Sequence, residues 1–255
     1  MIVILGRLVS YGELWFDEVQ PRDPRVDVLT YRLWPGRVPG ARSSRFLSLV
    51  SDLTADERAL MARLGNTNRY KINRANNRDG LTAEFLAAPA ARLEEFRAFY
   101  DAFAGQKKLA PSYRRGLEAS CAAGQLVLSA ASRDGRRIVW HAYVTSGGSA
   151  ALLHSASHFR AEDGVDRALV GRANRWLHWK DMLEFKAAGY RRYDWGGMFE
   201  DESVAAQASI NNFKREFGGD PIESYNCTMA RTVKGRAYTA CLTLVDRVRG
   251  VETGP

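Results

Sequence analysis

The 255-residue chain is poor in cysteine, histidine and proline, with three, four and eight of each. Cys121, Cys227 and Cys241 are widely spaced, odd in number and form no C-x-x-C pair. That argues against a disulfide framework and points to a reducing, cytoplasmic setting. His154 and His158 share one face of a strand pattern but would stand about 13 Å apart, too far to hold one metal. With no Cys–His cluster elsewhere, no metal site is expected. No apolar run is long enough to span a bilayer, and the first twelve residues lack the form of a signal peptide. Walker, G-x-G-x-x-G and G-x-S-x-G motifs are also missing. Nucleoside-triphosphate, dinucleotide and serine-hydrolase chemistry therefore have no support.

What is present suits a globular enzyme or binding protein. Apolar residues make up 45% and aromatics 11% of the chain, enough for a sizeable core. The net charge is +8, with basic clusters at Arg69–Arg78, Lys107–Arg115 and Arg172–Lys180. Such a balance admits a polyanionic partner without requiring one.

Residues 1–50 are the least regular, with strands expected over 26–34 and 46–50 around a Pro-Gly loop. Thr54-Ala-Asp-Glu57 reads as a capping box, opening a helix through Leu60, Met61 and Leu64 that Gly80 stops. A strand (81–86), two helices (89–104 and 111–123) and three strands (125–132, 137–145, 149–158) follow. Then come a long helix (166–188), a strand (190–195), a helix, a strand and a last helix (233–250). The order after residue 80 is β α α β β β α β α β, that of a GNAT acyltransferase. It predicts a mixed α/β sheet: a single GNAT-like unit over 81–232, a strand-helix appendage over 1–80, and a C-terminal helix and tail over 233–255.

The densest signal runs from Tyr190 to Tyr225. Ile210, Phe213 and Phe217 form an apolar helical stripe, predicted to face the core, and Lys214 lies within it. A lysine there either snorkels to water or is aimed into a cleft where negative charge develops.

Tyr193-Asp194-Trp195-Gly196-Gly197-Met198, then Phe213-Lys214-x-x-Phe217-Gly-Gly219, then Ile222-Glu-Ser-Tyr225 resemble the Fem-type transferases. Upstream, Asp52-Leu-Thr54 and Arg69-Tyr-Lys-Ile-Asn-Arg-Ala75 extend the likeness over most of 45–231. That family moves amino acids from aminoacyl-tRNA to an amine of a cell-wall precursor on a GNAT-like fold. The resemblance implies Lys214 and Phe213 at the donor end and the developing oxyanion, while Asp194, Glu200, Asp201 and Glu202, leaving the 190–195 strand toward the donor slot, are the candidate bases or amine anchors. Arg69, Arg74, Arg160, Arg175, Tyr193, Trp195, Gly196 and Gly197 are the candidate substrate or donor contacts. No cofactor is implied, since the acyl donor is a co-substrate. Fem-type enzymes carry two GNAT-like units. One unit plus an appendage leaves the acceptor amine on a small molecule, a peptide or a cell-wall precursor. Two other readings stay open. One is an acyl-CoA or acyl-carrier-protein N-acyltransferase, although Glu162, Asp163 and Asp166 place negative charge where a diphosphate should bind. The other is a non-catalytic RNA-binding module.

Overall fold

The computed structural model describes residues 1–21, 25–157 and 166–248. Its strands are β1 (Ile2–Leu5), β2 (Ser10–Trp15), β3 (Val28–Trp34), β4 (Arg42–Asp52), β5 (Leu81–Leu86), β6 (Leu126–Arg133), β7 (Arg136–Ser146), β8 (Ser149–Ser157), β9 (Arg192–Gly197) and β10 (Asp220–Ala230). Its helices are α1 (Glu57–Arg63), α2 (Asn66–Arg78), α3 (Leu93–Lys107), α4 (Arg114–Ala122), α5 (Arg167–Ala187), α6 (Ala205–Arg215) and α7 (Val233–Val248). From β5 onward the order is the one predicted. Among the described residues, no helix is long and apolar enough to cross a membrane.

All ten strands join one mixed sheet in the order β1-β2-β3-β10-β4-β9-β8-β7-β6-β5. Among the described residues, only β2/β3 and β8/β9 pair in parallel. Alternation along the strands loads both faces. On one face α5 packs with α2, burying Ile72, Trp176, Leu177, Phe185, Tyr193, Trp195 and Phe217. On the other, α3 and α4 bury Phe96, Tyr100, Leu117, Trp140 and Ala142. The sheet curls strongly, as right-handed twist accumulates over many strands. Ile2, Ile4 and Phe16 therefore pack against Val144 and Ala151, although β1 and β8 lie far apart in strand order.

Several local expectations change. β1 and β2 have no counterpart in the sequence reading, because they are short and Gly12 interrupts the pattern. The helix expected from residue 54 is two helices, broken at Leu64-Gly65, where Gly65 N donates to Glu216 O at 2.8 Å. Its cap is Asp56, whose Oδ1 accepts from Ala59 N at 2.7 Å. Thr54 instead donates to Asp52 through its N–H and hydroxyl, because a carboxylate two residues back competes well for both donors. In α6 the predicted stripe rotates: Ile210 is exposed and Asn211 is the buried residue. Asn211 faces inward because its amide holds the β9–α6 loop, accepting from Phe199 N (3.0 Å) and donating to Phe199 O (2.8 Å).

Candidate active site

β8 and β9 stay together for only three residue pairs, Ser149–Ala151 against Arg192–Asp194, and then separate. A parted pair of parallel strands leaves backbone polar groups unpaired, and something must satisfy them. Lys214 does so from α6, donating from Nζ to the Gly197 carbonyl at 2.6 Å. Gly196 makes this approach possible. Its φ of +73° suits glycine, and a Cβ there would stand 3.2 Å from Leu152 O and 4.0 Å from Lys214 Nζ. Burial lowers the Lys214 pKa to about 8, against the opposing pull of the Asp194 carboxylate.

Asp194 is buried on the other face of β9 from Tyr193 and Trp195. Its Oδ1 accepts from Gly196 N (2.7 Å) and its Oδ2 from Ser48 Oγ (2.9 Å). Burial raises its pKa to about 6, although Gly196 N–H, Ser48, Lys214 and Arg192 all act the other way. A carboxylate poised near 6 beside an ammonium poised near 8 can take a proton from one group while the ammonium stabilises negative charge on another.

A cavity of about 390 Å³ opens beside Gly196 and Gly197, inside the curl of the sheet. Glu13 and Trp15 of β2, Arg32 and Leu33 of β3, Phe46 of β4 and Asn226 of β10 line it on one side. Leu117 and Ser120 of α4 and Ala151–His154 of β8 close the other.

Behind β9, on the α5 face, lies a second polar cluster. Tyr143 OH donates to Asp181 Oδ2 (2.6 Å) and stands 2.8 Å from Tyr193 OH, which is 2.8 Å from His178 Nδ1. His141 Nδ1 lies 2.7 Å from Asp181 Oδ2 and its Nε2 lies 2.9 Å from Asn174 Oδ1. Among the described residues, His141, His178 and Asp181 form the group close enough to be weighed as metal ligands, with donor atoms within 4.8 Å of one another. Those atoms are largely spent on each other, and the two imidazoles stack at 3.9 Å. The set is a closed hydrogen-bonded core with no open coordination position. One atom stands apart: His178 Nε2 is buried without a partner. Burial, then the neighbouring His141, Arg175 and Lys214, hold His178 well below its ordinary pKa.

FemX has a similar structure, with a TM-score of 0.60 at 13% identity, covering 76% of this chain and 63% of that one. The chain has the fold seen in FemX. The C-terminal domain of a putative lysylphosphatidylglycerol synthetase from Agrobacterium fabrum also matches, with a TM-score of 0.51 at 13% identity over 85% of this chain and 72% of that one. So does a conserved protein of unknown function from Bacteroides thetaiotaomicron, with a TM-score of 0.51 at 10% identity over 73% and 62%. The chain thus spans less than two thirds of the length of FemX. No protein-family profile and no curated protein matches it.

Within this fold, Lys214, Asp194, Gly196 and Gly197 come together at the strand split. Phe213 packs beside them, its ring 5.4 Å from Phe217 and 5.7 Å from His178. Tyr193 and Trp195 turn into the α5-side core, where Trp195 Nε1 donates to Ser51 Oγ at 2.9 Å. Arg175 is largely enclosed, stacked on Phe213 at 4.8 Å and donating from Nε to Asn68 Oδ1 at 2.7 Å. Arg69 and Arg74 lie on α2, Arg69 donating to Ala62 O and Arg74 3.9 Å from Asp79. Glu200 pairs with Arg45 at 2.8 Å on the surface. Arg160, with His158, Glu162 and Asp163, lies outside the described residues. Ser48, Glu13, Arg32, Asn226 and the His141–Asp181 cluster are absent from the sequence reading. They come from distant segments and carry no motif; only strand register brings them together.

Proposed function

We propose that the protein is an N-acyltransferase, and that the group it moves is an aminoacyl group carried by tRNA. The observation that carries the first part is Lys214, a half-buried ammonium held at the split between β8 and β9 with Asp194 beside it. An acceptor ammonium gives one proton to Asp194, and its nitrogen attacks the ester carbonyl. The C–N bond forms while Lys214 stabilises the oxyanion, the C–O bond to the ribose breaks, and the second amine proton ends on the departing ribose oxygen. The fold shared with FemX supports this reading. The tRNA donor is supported by the net charge of +8 and by the outer face of α2, where Tyr70, Asn73, Arg74, Asn77 and Arg78 are exposed.

The test is binding to a total charged tRNA pool, competed with deacylated tRNA and with acetyl-CoA at two salt concentrations. Preference for charged tRNA with a steep loss in salt supports the proposal. Binding to acetyl-CoA alone transfers the reading to a CoA-dependent enzyme. Equal binding of charged and deacylated tRNA, with no transfer and no effect of Lys214→Met, leaves an RNA-binding module.

A further inference from the structure

The wall that β2 and β3 give the cavity is unusual. Both strands end in bulky residues with left-handed backbone, Phe16 at φ +60° and Leu33 at φ +53°. Side chains of this size rarely adopt that conformation without support from their surroundings. Here Phe16 N donates to Arg32 O at 2.8 Å, and Leu33 N donates to Asn226 Oδ1 at 3.2 Å. Asn226 sits where the β10–β3 register slips, between Tyr225 and Cys227. Leu33 and the bulged Asn226 line the cavity, and Phe16 directly follows its lining residue Trp15, so the shape of this wall is specified.

The chemistry of that wall is equally restricted. Among the lining residues, Glu13 and Arg32 are the side chains with full charge, and they are paired: Arg32 Nε and Nη2 donate to Glu13 Oε1 at 3.2 and 2.9 Å. Trp15 Nε1 donates to Glu13 Oε2 at 3.3 Å. Glu13 is thereby committed, while the Nη1 side of the Arg32 guanidinium is not used by it. Trp15, Phe46, Leu117 and Leu152 supply apolar surface, and Gly196 and Gly197 form the opposite end, next to Asp194 and Lys214. At about 390 Å³ the cavity lies at the lower end of small-molecule sites, which run from roughly 300 to 1,000 Å³.

We infer that this cavity is the acceptor site and takes a free amino acid with an apolar side chain, its carboxylate on Arg32 and its amine toward Gly196 and Asp194. An arginine edge reads a carboxylate well, and a small cavity with one such edge and apolar surface from Trp15, Phe46, Leu117 and Leu152 selects a compact amphiphile over a long polymer. The fate of the amine rests on the acyl-transfer reading, whereas occupancy of the cavity does not. In that reaction the amino acid's nitrogen forms the new amide bond, the donor's ester bond breaks, and the product is an N-aminoacyl amino acid.

Calorimetric titration of the full chain, with no acyl donor present, tests the inference. The probes are the twenty common amino acids, together with 2-phenylethylamine and 3-phenylpropanoate as single-charge analogues of L-phenylalanine. Expected is binding of L-phenylalanine, L-leucine or another apolar amino acid, at least ten-fold tighter than its analogue lacking the carboxylate. Arg32→Met removes that ten-fold difference while leaving 2-phenylethylamine binding unchanged. Because this change strands Glu13, Glu13→Gln/Arg32→Met is measured beside it. Failure of every amino acid to bind below about 10 mM overturns the inference. So does equal binding of amine and amino acid, or indifference to both variants. Amino-acid binding without transfer from any donor leaves the amino-acid site standing and removes the acyl-transfer reading instead.

Discussion

Tyr193 and Asp194 are neighbours on β9, yet each belongs to a different kind of buried polar cluster. Tyr193 faces α5 and joins Tyr143, Asp181, His141 and His178, where hydrogen-bond donors and acceptors mostly answer one another. Asp194 faces the other way. It shares its surroundings with Ser48, Gly196 and a lysine from another element, at a break in the sheet beside a cavity. Both clusters are desolvated, but only the second lies where substrate can approach. Burial perturbs titration in both, so a perturbed group marks a working site only where geometry gives it access.

The largest effect expected from this contrast is structural. Asp181→Ala leaves His141 and Tyr143 buried without their shared acceptor and should cost about 3–5 kcal/mol of stability, read by denaturant unfolding. A change under 1 kcal/mol would mean that the α5-side cluster does not support the core. Next comes Lys214→Met, which should lower turnover roughly 10²–10³-fold with an unfolding midpoint close to wild type. Full activity in a folded variant would remove Lys214 from the chemistry.

The pH dependence sharpens the comparison further. Activity should rise as Asp194 deprotonates near pH 6 and fall as Lys214 loses its proton near pH 8. Asp194→Asn should abolish the acid limb, whereas His178→Phe should leave both limbs in place. The sign for stability follows from the raised Asp194 pKa. Its contribution is intact below the ordinary value of 3.8 and is lost as pH rises through about 6. In Asp194→Asn that slope should flatten. The smallest effect is that of Gly196→Ala, about 1–2 kcal/mol of backbone strain, with a further loss of turnover because the new methyl lies between Leu152 O and Lys214. An unchanged melting temperature would show that the backbone there relaxes.

Legibility differed sharply along the chain. The succession of elements after residue 80 could be read because its helices and strands have distinct periods and are separated by Gly-containing turns. β1 and β2 could not, since four wholly apolar residues show no alternation and Gly12 interrupts the six of β2. The Ile210 stripe misled because Asn211 is held inward by loop backbone that sequence spacing cannot show. Lys214 and the Gly196-Gly197 pair were legible as an oddity, a cation within an apolar helix beside a repeated glycine break. Ser48, Glu13 and Arg32 were not, because an isolated serine or ion pair has no local signature.

The sequence by itself determined the order of elements after residue 80 and the presence of a lysine where an amphipathic helix should be apolar. These follow from local propensity and periodicity, which act over a few residues. Tertiary structure alone decided that the sheet curls far enough for Glu13 and Arg32 to face Gly196, and that Asp194 meets Ser48 across a strand pair 146 positions apart. Accumulated twist and strand register set those meetings, and neither can be read from any single segment.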